Sequence, residues 1–230
     1  MGLRETMTNM ASSVAIRRAA PTVASRGVRQ FLSKAVDGFP GFPGAREVAR
    51  KHLARTQDVD EAVKAVIDQH VRLAGAQGFV TNLGGLVTIF LAIPANLAGL
   101  ALVQARMVVA IAHLRGYEIT DLKVRAAALM TLLGEEGVRE ALAEHELDLR
   151  PHDIAVGAGD LDQATLERIT ADVTESLVTR IGGKYATLTL AKRVPLIGGA
   201  LSGGFDAFYT YSVGRFADQE FPPHVMIERV

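Results

Sequence analysis

Polar and charged residues recur at helical intervals along most of the chain, with one long interruption. Between Arg72 and Arg106 no residue carries a charge. Residues 73–105 are rich in Gly, Ala and Leu, and Pro94 divides them in two. A shorter echo follows at 194–204, where Pro195 precedes Gly198, Gly199, Gly203 and Gly204. Elsewhere the pattern is amphipathic. Asp58 and Glu61 stand at capping-box spacing, and Val63, Val66, Ile67, Val71 and Ala74 then fall on one helical face. Val28, Phe31, Leu32 and Val36 make a similar face nearer the N-terminus, with Arg26, Arg29 and Lys34 between them. Such a basic amphipathic helix docks on its own domain or on anionic lipid.

Breaks in the pattern give the remaining boundaries. Two Pro and three Gly at 38–44 cannot continue a helix; they read as a linker whose turn pins two Phe rings. A helix is expected over 45–56. Thr120 or Asp121 caps another that runs to Leu133, with Gly134 as its stop, and 135–146 forms the next. Residues 148–162 read as a loop around Pro151, Gly157 and Gly159. Asp162 or Thr165 starts a long helix that Gly182-Gly183 should end; a short helix at 185–193 and a last one from Pro195 to about Asp218 follow. The final ten residues read as an extended tail. No segment alternates convincingly as a strand, so the predicted class is all-α: a multi-helix globular domain around a central Gly/Ala-rich helical hairpin. The predicted organisation is a basic arm and linker over 1–44, a helical domain over 45–222 and a tail over 223–230.

The charge-free stretch raises the question of membrane crossing. Its first half has fifteen residues at 79–93, Asn82 among them, about 22 Å of helix against the roughly 30 Å of a bilayer core. Its second half is long enough, but the helix from Ala95 carries Asn96, Gln104, Arg106 and His113. An Arg at mid-bilayer costs about 2.5–3.5 kcal/mol. A buried hairpin fits better than two spans. Gly78, Gly84 and Gly85 in the hairpin, and Gly199 and Gly203 in the last helix, would then allow close helix packing or line an apolar pocket. Each Gly in a helix interior costs about 1 kcal/mol relative to Ala, which such contacts offset. Arg106 and Asp206 each follow a proline by about three turns. Buried together, they would form an ion pair.

Composition narrows the chemistry. Net charge is zero, which excludes nucleic-acid binding by bulk electrostatics. The charges are nevertheless segregated. Residues 1–60 hold ten Lys and Arg against five acids, and 134–180 hold twelve acids against four Arg. The chain has no Cys and no Trp, so it has no disulfide, thiolate nucleophile or Cys-ligated metal. No secretory signal is evident in the first thirty residues. Nucleophile-elbow, P-loop and zinc-protease patterns are absent. The only His-carboxylate cluster comprises Glu144, His145, Glu146, Asp148, His152 and Asp153, and it reads as solvated. His113 reads as a boundary histidine. No catalytic residue, cofactor or metal is expected.

Several of these features together resemble the EcsC family of bacterial proteins: the Gly-rich first segment, Pro94 before a Gln104-x-Arg106 helix, its Arg115-Gly116-Tyr117 end, and Pro195-Leu-Ile-Gly-Gly before Phe205-Asp206. The likeness covers Asp58 to Phe221. It implies a membrane- or transporter-linked accessory role and supplies no catalytic residues. The expected function is therefore a non-enzymatic, membrane- or lipid-associated accessory protein linked to transport or secretion. Its expected place is the cytoplasm, peripheral to the inner membrane face, with a membrane surface, a lipid or a protein as partner. The alternative is a soluble interaction or scaffold module with no lipid ligand.

Overall fold

A computed structural model describes residues 30–75, 95–144, 148–159, 161–191 and 198–224; at 95–98, 178–191 and 198–203 it gives the backbone alone. The described chain is helical apart from one two-stranded ladder. Helix α1 covers 30–37. Phe31, Leu32, Ala35 and Val36 face inward while Lys34 stays exposed, so the described part of this amphipathic segment docks on its own domain; Arg26, Val28 and Arg29 lie outside the described residues.

The Gly/Pro segment is a tight hairpin, not an open linker. Strands β1 (Gly38–Phe39) and β2 (Phe42–Pro43) pair antiparallel. Pro40 followed by Gly41 at φ +83° has the chemistry of a type II turn. Gly38 is obligatory: its φ is +76°, and a Cβ there would lie 2.5 Å from the Gly44 nitrogen. As expected, the turn pins two Phe rings, with Phe39 and Phe42 stacked at 5.0 Å between centroids. Phe31, Leu32, Ala35, Val36 and Phe42 share one core cluster with the helices that follow. The boundary drawn after Gly44 thus divides residues that the core unites.

Helix α2 (Ala45–Thr56) ends at Gln57, whose φ of +56° turns the chain. Asp58 then caps α3 (Val59–Gly75) by accepting from the Glu61 amide at 2.8 Å. Helix α4 (Ala95–Leu114) is the centre of the molecule. Residues 102–112 are all buried, because α2, α3, α5 and α9 surround the helix. A helix that is hydrophobic all round belongs in an interior. Asp121 caps α5 (Leu122–Thr131) through the Lys123 amide at 2.8 Å. Gly134, at φ +70°, reverses the chain into α6 (Gly134–Glu144).

Two boundaries differ from the sequence expectation. The segment read as a loop contains helix α7 (Pro151–Val156). Pro151 sits where a first-turn proline loses no hydrogen bond, and Asp153 reaches back to accept from the Arg150 amide at 3.0 Å. Helix α8 (Gln163–Ala191), capped by Asp162 on the Thr165 amide at 2.8 Å, runs straight through Gly182-Gly183. Glycine weakens a helix but, unlike proline, removes no hydrogen bond from it. Helix α9 is Gly198–Glu220.

The core is the α3–α4–α9 triple. Helix α9 runs parallel to α4 and antiparallel to α3, since Thr210 meets Gln104, Gly214 meets Ile67 and Met107, and Asp218 meets the Arg115 that follows α4. At Gly214 the three helices leave little room: a Cβ there would lie 3.0 Å from Ile67 Cγ1 and 3.2 Å from Met107 Sδ.

Candidate functional site

Three places in this core gather polar or exposed apolar side chains: the middle of α4, the end where α4 stops, and the end where it starts. At the middle, Arg106 is 2 % exposed. Its guanidinium carbon lies 3.9 Å from the centre of the Phe42 ring. Its Nε donates to His70 Nε2 at 3.0 Å, and Nη1 donates to the Pro43 carbonyl at 3.2 Å. His70 is fully buried on α3, and its Nδ1 lies 2.7 Å from the Val66 carbonyl. The carbonyl can only accept and the Arg Nε–H can only donate, so the ring is neutral with its proton on Nδ1. Burial, and then the Arg106 charge, pushes His70 down to about 3; burial lowers Arg106 to about 10. The arginine stays charged at neutral pH.

This differs from the expected ion pair. Arg106 is buried as its place on the central helix required, but it contacts His70, Pro43 and Phe42. Asp206, partly exposed on α9, is not among these contacts. Positive charge is accommodated here by a ring face, a carbonyl and an imidazole lone pair. The group clamps the β1–β2 hairpin to α3 and α4. Two residues before Arg106, Gln104 donates to Thr210 at 3.0 Å and ties α4 to α9.

Where α4 stops, charges meet opposite charges. Arg115 donates to Asp60 and to Asp218 at 2.6 Å each. Glu220, 3 % exposed, accepts from Arg150 and from the His152 amide, the latter at 3.1 Å. Tyr117 packs edge-on to Phe221 and stacks on His224, with centroids 5.1 and 4.7 Å apart. Gly116 admits the tail: its φ is +92°, and a Cβ would lie 2.4 Å from the His224 carbonyl. The tail amide of His224 donates to the Arg115 carbonyl at 2.8 Å. Sequence reasoning missed this network. The Arg-Gly-Tyr run was its visible trace, since an arginine and an aromatic around a helix-ending glycine mark a place where the backbone is approached closely.

His113 is exposed on the rim of a cleft of about 640 Å³ that Asp37, Arg46, Glu47 and Arg50 also line. The His-carboxylate cluster does not assemble a metal site among the described residues, and His145 and Glu146 lie outside them.

Where α4 starts, the described flanks of the two charge-poor stretches lie at one end. The register of α9 on α3 and α4 puts the last turn of α3, the first turn of α4 and the first half of α9 at one end. The segment 76–94, with Gly78, Gly84 and Gly85, joins the first two and lies outside the described residues; Gly199 and Gly203 fall on the first turns of α9, where only backbone is described. On α9 the aromatic residues Phe205, Phe208 and Tyr211 are 44 %, 69 % and 48 % exposed. Phe208 and Tyr211 border a groove of about 750 Å³ against Leu133, Val138 and Leu142. No described helix is long and apolar enough to cross a membrane.

The EcsC protein family model matches residues 43–222. The chain has no significant match among curated proteins or solved structures.

Proposed function

The chain belongs to the EcsC family, and from that premise we propose that it is a membrane- or lipid-associated accessory protein without a catalytic role. One observation carries this reading. The last turn of α3, the first turn of α4 and the first half of α9, which flank or carry the two charge-free stretches of the sequence, lie at one end of the bundle, while the Arg115 and Glu220 ion pairs occupy the other. Apolar surface gathered at one end of a helical domain suits an interface with hydrocarbon better than a uniformly wet surface. The contact is peripheral in this reading, with the bilayer met by an end of the molecule and not spanned by it. The middle of α4 supports the non-catalytic part. Arg106 and His70 are enclosed, and they already hold each other.

Flotation with vesicles of phosphatidylglycerol and phosphatidylcholine at low salt tests the proposal. The protein should rise with the anionic vesicles. Protein that stays at the bottom of the gradient under those conditions overturns the reading in favour of a soluble interaction module.

A further inference from the structure

We propose that the outer face of α9 is where a second copy of this chain docks, with the two α9 helices antiparallel across a two-fold axis. The proposal stands apart from the membrane reading and rests on described side chains of α6 and α9. Helix α9 turns one stripe to solvent. Phe205, Phe208, Tyr211, Ser212, Arg215 and Gln219 are all exposed, and their spacing places them along one side of the helix. Phe208 is 69 % exposed and Tyr211 48 %. Beside these rings, the groove of about 750 Å³ lies between α6 and α9. A ridge and a groove on the same face suit a two-fold contact, because each copy offers both.

The charges on this face choose the partner and its direction. The Tyr209 hydroxyl donates to the Leu132 and Leu133 carbonyls at 3.2 and 3.3 Å, which sets the first turn of α6 beside the middle of α9. That turn carries exposed Glu135 and Glu136, so the groove is acidic at the level of Phe208. Arg139, the next cation along α6, is already held by Glu136. The other end of the groove is basic: Arg150 contacts Glu220 at the end of α9, and Arg215 lies two turns past Phe208. Asp218 is 3.6 Å from Arg215 but 2.6 Å from Arg115, and the Arg215 side chain stays 50 % exposed. A face that runs from acid to base complements its own copy when the copy is reversed. A two-fold axis between Tyr211 and Ser212 reverses it. Phe208 then falls opposite the partner's Arg215, which arrives between the Phe208 ring and the carboxylates of Glu135 and Glu136. Symmetry makes that contact twice. A guanidinium over a phenyl ring is a contact the chain already uses at Arg106 and Phe42. Parallel packing would set acid against acid and base against base, and an anionic bilayer would press its phosphates on Glu135 and Glu136.

The test is the oligomeric state of the full chain, followed by sedimentation equilibrium without lipid, so its outcome is separate from that of flotation. The wild type should be a dimer, and Phe208→Ala should weaken it about tenfold or more. Arg215→Glu alone should give monomer, and so should Glu135→Arg combined with Glu136→Arg, since each sets like charges opposite. Mixed together, these two variants should form a one-to-one dimer, because both contacts are then between opposite charges. Circular dichroism checks that each variant is folded; all four positions are exposed. A wild type that stays monomeric up to about 100 μM overturns the proposal. So does a dimer that Phe208→Ala leaves unchanged, or a mixture that stays monomeric. A monomer that loses vesicle binding in Phe208→Ala assigns the face to a bilayer and also overturns it.

Discussion

Arg106 and Arg115 lie nine residues apart, and the protein treats them in opposite ways. Arg115 sits between two carboxylates, Asp60 and Asp218, near solvent. Arg106 is deeper, and the contacts that hold it are an aromatic face, a backbone carbonyl and a neutral histidine. Near the surface, opposite charge is a cheap partner because water already shares the solvation. In the interior a second ion would need its own desolvation, several kcal/mol per ion. Neutral acceptors and a ring quadrupole stabilise the cation without adding another charge. The difference teaches that burial of a charge does not by itself announce an ion pair.

Three experiments sharpen that contrast, beginning with the largest effect. Arg106→Met keeps much of the apolar stem but leaves His70 Nε2 and the Pro43 carbonyl unmatched and removes the charge from the Phe42 face. The expected loss is about 3 kcal/mol, read from the midpoint of urea unfolding. An unchanged midpoint would show that the hairpin is held on α4 by apolar packing alone.

Acid comes next, and it acts on the Arg106 side. His70 is neutral in the folded protein down to about pH 3, whereas in the unfolded chain it binds a proton below its ordinary value of 6.5. Between those values the unfolded state holds more protons, so stability falls as pH falls. The full contribution is present above pH 6.5. Below it the slope from this one group approaches about 1.4 kcal/mol per pH unit. Comparing pH-dependent unfolding of the wild type with His70→Gln isolates it, since the variant should lose one proton's worth of slope between pH 6.5 and 4. Identical slopes would place the proton elsewhere.

Asp218→Asn has the smallest expected effect. Arg115 keeps Asp60, and the loss should be about 1 kcal/mol or less. Unlike the Arg106 effect, it should shrink in 1 M salt, because the Asp60–Arg115–Asp218 group is reached by ions. A salt-independent loss would mean that this end is as closed as the middle.

The caps and the central helix were legible in the sequence because their causes are local. Asp58, Asp121 and Asp162 each cap through an amide two or three residues ahead, and the enclosed nature of α4 follows from its own lack of a polar face. The Phe39–Phe42 stack could be read from a turn four residues long. Helix α7 was hidden because Pro151 and Gly157, which start and stop it, are six residues apart and look like a loop. Arg106's partners were hidden for another reason. One is the carbonyl of Pro43, a group that every residue possesses, and another is a histidine thirty-six positions away. Charge spacing pointed to Asp206 since only a charge leaves a mark that spacing can follow. The exposed edge of α9 was equally silent: nothing in the spacing of Phe205, Phe208 and Tyr211 sets exposed aromatics apart from buried ones.

The enclosure of α4 also sets a timetable. Gln104 leaves the ribosome 106 residues before Thr210, the residue on α9 that receives it. At roughly 5–20 residues per second, the most apolar helix of the described fold waits about 5 to 20 s for one of its walls. During that interval the nascent chain presents an apolar, sticky rod with a single arginine to the cell. Chaperones or a nearby bilayer are the surfaces able to hold it, so a ribosome stalled before α9 should yield aggregates and not a smaller folded domain.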